Sequence, residues 1–302
     1  MPKAFGHVIA AIATPFRPRD LSVDFDILTA HAHWLLDNGC DGLVLFGTTG
    51  EAPSLTAAER KTILERLIQS GVCAGALLVG TSACAIDDTV DLTLHAAGLQ
   101  CAGALLMPPF FFKGVSVDGA RQYYDAVIRG CGGKLPSIYL YHIPQASGVA
   151  VGVDLVEQLI ERHGASIRGY KDSSGQWANT REILARFPQL EVFVGSETLL
   201  LDNLRAGGAG CISAGVNVQP AAARRVYEGS TAADAVKLQA QATAVRKALE
   251  RAGPIIASTK AILAELHQEP AWAVPRPPLE ALGADARAKL CAELRTLHVA
   301  GL

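Results

Sequence analysis

The stretch Ile167-Arg168-Gly169-Tyr170-Lys171-Asp172-Ser173-Ser174-Gly175 reads as a short strand running into a turn of small residues. Side chains alternate across a strand, so Ile167, Gly169 and Lys171 share one face, with Arg168, Tyr170 and Asp172 on the other. A lysine closing that first face is unexpected, because a long ammonium at a strand end ordinarily snorkels into water. If the face is the inside of a barrel, the ammonium is partly desolvated and gives up its proton more readily. A neutral amine is a nucleophile toward a ketone, and Gly169 leaves space beside it. The rest of the chain decides between the two readings.

Outward from this strand the chain repeats one unit. A short β-rich apolar run is followed by a turn with Gly, Thr, Ser or Pro, then by an amphipathic helix. Strands are predicted at 8–13, 42–46, 76–80, 103–107, 137–141, 167–171, 192–195 and 210–213, and helices at 25–38, 57–69, 87–97, 118–129, 154–161, 178–187 and 198–206. Strands alternating with helices argue for an α/β fold with a parallel sheet, and eight strands close a (β/α)8 TIM barrel. A doubly wound open sheet is the alternative, but no G-x-G-x-x-G follows the first strand. Beyond 218 the chain is rich in Ala and Leu, with helical periods at 221–228, 232–252 and 254–266, a proline-rich connector at 270–278, and a last helix at 279–297. The division is a barrel at 1–218 carrying the active site and a C-terminal helical domain at 219–302.

Composition narrows the function. The chain has 302 residues, half of them hydrophobic, and a net charge of −2. No basic stripe suggests nucleic acid or a membrane surface as a partner. The seven cysteines are odd in number, scattered and without a C-x-x-C pair. Free thiols in a reducing cytoplasm fit that pattern better than a disulfide framework. Lys3 precedes an apolar run, but His7 breaks it and Thr14-Pro15 follows, so no signal peptide is expected. No run approaches the ~18 apolar residues of a membrane span.

In such a barrel the active site lies at the C-terminal ends of the strands. The second strand runs into Gly47-Thr48-Thr49-Gly50-Glu51, a small loop presenting backbone N–H groups and two hydroxyls, which suits a carboxylate. The fifth ends at Tyr141, whose phenol can shuttle protons if it is held near the amine of Lys171. The seventh gives Gly195-Ser196-Glu197 and the eighth Ile212-Ser213. A carboxylate nest, a lysine and a tyrosine together suit a 2-keto acid. The nest holds the carboxylate, the lysine attacks the ketone, and the iminium is an electron sink for chemistry at the C3–C4 bond.

Five segments together resemble the dihydrodipicolinate synthase / N-acetylneuraminate lyase family of class I Schiff-base aldolases. They are Ala11-Ile12-Ala13-Thr14-Pro15-Phe16, Gly47-Thr48-Thr49-Gly50-Glu51, Tyr141-His142-Ile143-Pro144, Gly169-Tyr170-Lys171-Asp172-Ser173-Ser174-Gly175 and Gly210-Cys211-Ile212-Ser213. The resemblance implies Lys171 as the Schiff-base lysine and Tyr141 as the acid/base. It implies Thr48 and Thr49 as carboxylate holders, Thr48 also relaying protons, with Gly195 and Ile212 lining the pocket. It further implies a homotetramer or dimer, and no metal or organic cofactor beyond the covalent imine.

Two departures bear on the substrate. The synthase branch carries a second tyrosine after the fourth strand, where this chain has Phe111. It also carries an arginine for the second substrate's carboxylate, where this chain has Ala146. Ser147-Gly148-Val149 resembles the neuraminate lyase side, yet that lyase's acidic pair is only half present, as Glu197-Thr198. The reading is an aldolase or dehydratase acting on a 2-keto-3-deoxy sugar acid or related hydroxy-keto acid. Glu197, Ser196 and Ser213 are candidates for holding its hydroxyls. The alternatives are a genuine synthase condensing pyruvate with aspartate semialdehyde, and a non-catalytic keto-acid sensor. The presence of both Lys171 and Tyr141 favours an enzyme.

Other polar residues carry less. His31 and His33, two apart on a helix, face different ways and make no metal site. His142 should point away from the barrel interior, and Cys211 is a small buried residue. Lys260 falls far in sequence from the barrel mouth. Phe110 to Phe112 suit packing or a subunit contact.

Overall fold

Eight short strands pair in parallel and in chain order around a closed barrel, the last returning to the first. The computed structural model describes residues 5–302; Lys3, ahead of the first apolar run, lies outside them. The elements are β1 (Val8–Ala11), α1 (Phe25–Asp37), β2 (Gly42–Leu45), α2 (Ala57–Gln69), β3 (Leu77–Gly80), α3 (Ile86–Gly98), β4 (Gly103–Leu106), α4 (Val117–Cys131), β5 (Ile138–His142), α5 (Pro144–Ser147), α6 (Val153–His163), β6 (Ile167–Asp172), α7 (Trp177–Arg186), β7 (Glu191–Val194), α8 (Leu200–Arg205), β8 (Gly210–Ser213), α9 (Pro220–Glu228), α10 (Ala235–Ala252), α11 (Ile255–Leu266) and α12 (Ala284–Thr296). This is the expected (β/α)8 barrel with C-terminal helices. Because side chains fill it inside and helices cover it outside, its strands read as continuous apolar runs such as Val8-Ile9-Ala10-Ala11. Several helices begin at side-chain caps: Asp24 accepts from Ile27 N, Ser116 from Gly119 N, and Thr56 and Glu59 cap α2 reciprocally.

Alternation sorts the strand residues into two layers. Ile9, Ala11, Val44, Leu78, Tyr139 and Phe193 are among those filling the barrel. Ala10, Leu43 and Leu45 on one side, and Ile138, Leu140 and Val192 on the other, pack outward under the helices. β6 departs from the simple alternation. Its pairing with β5 slips between Ile138 and Tyr139, so that Ile138 meets Ile167 while Tyr139 meets Gly169. Ile167 therefore packs outward beside Tyr170, contrary to the face expected for it. Gly169 serves a different purpose from the one expected too. A Cβ there would lie 2.2 Å from the Tyr139 ring, so the glycine makes room for that tyrosine rather than for the lysine.

The strand ends are set by local bonds that sequence does not display. β1 stops at Ala11 because Ala13 N turns to the Asn217 side chain, at 3.2 Å. β2 stops at Leu45 because Phe46 takes a left-handed φ of 56°. The helix expected at 198–206 divides into a 3₁₀ turn, Glu197–Leu199, and α8.

After β8, α9 packs against β1 and α8 and completes the eighth strand–helix unit. The division at 218 falls between this helix and its strand. α10 leans on α9 and on the turn at Glu197–Leu199. α11 lies against the segment following β8 and against the 3₁₀ turn Pro270–Ala273. Among the described residues no helix is long and apolar enough to cross a membrane.

Candidate active site

β6 delivers Lys171 to the C-terminal rim, in register with Tyr141 of β5 and Phe193 of β7. Lys171 is 3% exposed, and its Nζ lies 4.2 Å from the centroid of the Tyr141 ring. The Tyr141 hydroxyl in turn is 3.1 Å from Thr48 Oγ1. An amine, a phenol and an alcohol from three separate elements thus stand in a row. The next residue on β6, Asp172, points the other way. It accepts from Ser174 N at 2.9 Å, Ser174 Oγ at 2.6 Å, Asn179 Nδ2 at 2.8 Å and Thr180 Oγ1 at 2.8 Å. These bonds fix the end of β6 and, through it, the direction in which Lys171 points.

The loop after β2 supplies the other half. No acceptor among the described residues takes the backbone N–H of Thr48 or of Thr49. Two N–H groups beside an inward lysine are what a carboxylate needs. The loop is held from behind. Thr14 Oγ1 donates to Gly50 O at 2.8 Å. Glu51, at a left-handed φ of 53°, accepts from Arg276 N at 2.9 Å and from Lys260 Nζ at 2.5 Å. Lys260 also donates to Thr14 O at 2.9 Å. Burial lowers this lysine to about 8, against the upward pull of Glu51. The fold therefore brings Lys260, distant in sequence, directly behind the nest.

A cavity of about 500 Å³ opens at this rim, and Thr48, Thr49, Tyr141, Lys171, Gly195 and Ile212 all line it. Gly195 N donates to Asp172 O at 2.6 Å, and a Cβ at 195 would lie 2.1 Å from Ser173 Oγ, so only glycine fits. Ser196 and Thr198 face the same cavity.

Glu197 and Ser213 do not reach it, which corrects their expected place. Ser213 follows Ile212 on β8, so alternation sends it outward. Both residues are fully buried, and the Ser213 hydroxyl donates to the Glu197 carboxylate. Arg246 of α10 completes the cluster, its Nη1 3.0 Å from Ser213 Oγ and 3.5 Å from Glu197 Oε2. The two residues tie α10 to the barrel.

Arg246, Lys247 and Glu250 line the cavity as well. Sequence reading missed them, because charges spaced along a late helix read as a solvated face. Gln145 and Ser174, also on the wall, lie beside motif residues and were within reach of the strand-end argument.

The remaining candidates fall elsewhere. His142 Nδ1 accepts from Val151 N at 3.0 Å, with the ring stacked on Tyr170 outside the barrel. His31 lies buried against His267 and Asn217, while His33 faces Ser70. Among the described residues no group of three or more His, Cys, Asp or Glu converges as metal ligands would. Phe111 and Phe112 are 73% and 68% exposed. Ala146 lines a second cavity of about 110 Å³, which shares Thr48 and Tyr141 with the first.

Comparison with known proteins agrees with this geometry. The chain is 35% identical to an uncharacterized DapA-like lyase of Chloroflexus aurantiacus, over 79% of this chain and 80% of that one. Its fold matches the crystal structure of dihydrodipicolinate synthase from Agrobacterium tumefaciens with a TM-score of 0.90 and 32% identity, covering 97% of this chain and 99% of that one. It also matches an E. coli K12 prophage protein of the dihydrodipicolinic acid synthase family, solved in complex with pyruvate, with a TM-score of 0.89 and 25% identity over 98% of this chain and 100% of that one. The model of the dihydrodipicolinate synthetase family spans residues 4–297, and the chain, a lyase, belongs to that family.

Proposed function

We propose that this lyase forms a Schiff base between Lys171 and pyruvate-derived 2-keto acids, and cleaves or dehydrates hydroxylated members such as 2-keto-3-deoxy sugar acids. The observation that carries the reading is the row formed by Lys171, Tyr141 and Thr48 beside two uncommitted N–H groups. In this reading the Thr48 and Thr49 amides hold the substrate carboxylate. The Lys171 amine adds to C2, and the carbinolamine loses water with a proton supplied through Tyr141. For cleavage, the C4 hydroxyl gives up its proton and the C3–C4 electron pair moves into the iminium. An aldehyde leaves, the enamine is protonated at C3, and water releases pyruvate from the lysine. For dehydration, a proton leaves C3 and hydroxide, protonated as it departs, leaves C4. Neither course calls for a metal or an organic cofactor.

Condensation of pyruvate with aspartate semialdehyde is the second reading, favoured by the likeness to the Agrobacterium synthase. Ala146 speaks against it. The exposed Phe111 and Phe112 pair supports a homodimer or homotetramer, and free thiols at all seven cysteines suit a cytoplasmic enzyme.

Borohydride reduction in the presence of pyruvate tests the Schiff base. The expected product is a mass increase located on Lys171 by peptide mass spectrometry, and absent from Lys171→Ala. Lys171→Arg should also fail, since a guanidinium stays protonated and forms no imine. Labelling at another lysine, or undiminished labelling of Lys171→Ala, overturns the reading.

A further inference from the structure

We infer that Asn217 is a positioning residue for the reaction: its side-chain amide adds one more rung between β1 and β8, and so holds the part of the cavity wall that those two strands supply. The inference rests on the Schiff-base reading above. It concerns a residue that does not itself line the cavity.

β1 and its continuation outlast β8. The pairing of the two strands ends with Ala10 opposite Ser213. The chain beyond β8 then turns into the 3₁₀ segment Gly215–Asn217. Ala11-Ile12-Ala13 instead runs on beside β2, with Ile12 N donating to Val44 O at 3.1 Å. On its other edge Ala11 O and Ala13 N have no strand to meet, and both residues are at most 2% exposed. A buried peptide group left without a partner costs about 1–3 kcal/mol. Asn217, 0% exposed, supplies both partners. Its Nδ2 donates to Ala11 O at 2.8 Å, and its Oδ1 accepts from Ala13 N at 3.2 Å. In a parallel ladder a residue bonds the carbonyl before its opposite number and the N–H after it. The side-chain amide therefore stands opposite Ile12 as a further residue of β8 would.

This rung lies across the seam where the barrel closes. Ala11 on one side, with Ile212 and Ala214 on the other, lines the cavity together with Lys171. Nδ2 also donates to Ala214 O at 2.9 Å, which ties the second side down. Nor can the amide turn over. Oδ1 takes a further bond from His31 Nε2 of α1 at 3.2 Å. A flip would set N–H groups against Ala13 N–H and His31, and the oxygen against two carbonyls. Because Oδ1 only accepts, the neutral His31 ring carries its proton on Nε2, and its Nδ1 accepts from His267 Nε2 at 3.0 Å. A one-way chain of donors thus runs from the half-buried His267 through His31 to the rim. Two donors and two acceptors are all that an amide offers, and Asn217 uses every one.

A wall held in this way bears on alignment more than on affinity. A displacement of about 1 Å in a reacting group can cost on the order of 10²-fold in rate. The carboxylate nest sits on the loop after β2, whose anchors are Lys260 and Arg276 rather than Asn217.

Exchange of the pyruvate methyl protons for deuterium tests this on the full chain and needs no aldehyde. The imine on Lys171 loses a proton from C3 to give the enamine, a deuteron from D2O adds at C3, and hydrolysis returns labelled pyruvate and the free amine. Asn217→Leu keeps the shape of the side chain and removes the rung. Its maximal exchange rate should fall roughly 10- to 100-fold, while half-saturating pyruvate moves less than about threefold, the pattern of a lost alignment rather than lost binding. A folded Asn217→Leu with a wild-type maximal rate, or one that changes only half-saturation, overturns the inference. Hydrogen exchange in the wild-type chain, read by fragmentation mass spectrometry, reports even if the variant folds poorly. The Ala13 amide should exchange as slowly as that of Ile12, and should slow further once pyruvate is trapped on Lys171 with borohydride. Rapid exchange at Ala13, or exchange indifferent to the trapped adduct, counts against the rung. A wild-type chain that neither labels pyruvate nor is trapped by it overturns the Schiff-base reading itself, an outcome distinct from either.

Discussion

Lys260 Nζ stands 2.5 Å from Glu51 Oε1, and neither side chain reaches solvent. The pair joins α11 to the loop that carries Thr48 and Thr49, with the Arg276 backbone adding a second bond to the same carboxylate. Neither residue lines the cavity, so any role of the pair in the reaction is positioning. Removing one partner of a buried ion pair leaves the other charge uncompensated, at a cost of about 3–5 kcal/mol. Lys260→Met should lower stability by that order. It should also raise KM for the keto acid more than it lowers kcat, because the Thr48 and Thr49 amides proposed to hold the carboxylate lose their backing. Lys260→Met combined with Glu51→Gln removes both charges and should recover part of the stability. Denaturant titration and steady-state kinetics check this; a single variant with wild-type stability and KM would show the pair to be idle.

Tyr141 and Thr48 share one hydrogen bond and are expected to act as one relay. Tyr141→Phe should lose turnover by roughly 10²–10⁴-fold, the range for a positioned acid/base. Thr48→Val should fall in the same direction, and the double variant should be little worse than the worse single one, as expected of residues that work as a unit. Additive losses measured as kcat/KM would mean that the two hydroxyls serve separate steps.

The acid limb of stability should depend on His31. Burial pushes its imidazole down to about 3, with the neighbouring His267 adding to the shift. Between that value and the ordinary ~6.5 the unfolded chain binds a proton that the folded chain refuses. Stability from this group is therefore whole above pH 6.5 and is lost as pH falls toward 3, with a slope of at most ~1.4 kcal/mol per pH unit. His267, also lowered by burial, acts in the same sense. Glu59, held at about 2 chiefly by Arg276, begins to contribute only below its ordinary value near 4.5. Melting temperatures between pH 5 and 6.5 thus isolate the histidines. His31→Gln should flatten that segment of the curve; an unchanged slope there would move the effect elsewhere.

What the sequence disclosed follows from where the information lies. Lys171, Tyr141, Thr48 and Thr49 sit at strand ends, where alternation and the barrel's polarity give each side chain a direction. The β5–β6 slip escaped because a one-residue shift leaves both strands apolar, and with it escaped the outward turn of Ile167. Glu197 and Ser213 were misplaced because they lie beside cavity residues in the chain but on the opposite face of the fold. Arg246, Lys247 and Glu250 were invisible, since their approach to the rim depends on how α10 packs against the turn after β7. Lys260 carried no local signal either, because its partner Glu51 lies 209 residues away in the chain.

The enzyme should be a poor condenser of pyruvate with aspartate semialdehyde and should prefer hydroxylated 2-keto acids. A semialdehyde carrying its own ammonium and carboxylate needs a cation for that carboxylate, and an arginine offers a bidentate one. At the matching position stands Ala146, which lines the smaller cavity that shares Thr48 and Tyr141 with the main one. Phe111, in place of the second tyrosine, has no proton to relay and is 73% exposed. The cations that do line the main cavity, Arg246 and Lys247, are already matched by Glu197 and Glu250. An unpaired carboxylate in the site costs about 1–3 kcal/mol, which is roughly 10- to 100-fold in kcat/KM. The comparison to make is kcat/KM for pyruvate plus aspartate semialdehyde against that for several 2-keto-3-deoxy sugar acids. Ala146→Arg gives the complementary test, since it should raise the semialdehyde value while leaving sugar-acid cleavage lower or unchanged. If the wild-type enzyme favours the semialdehyde by tenfold or more, the prediction fails and another cation takes the place of the missing arginine.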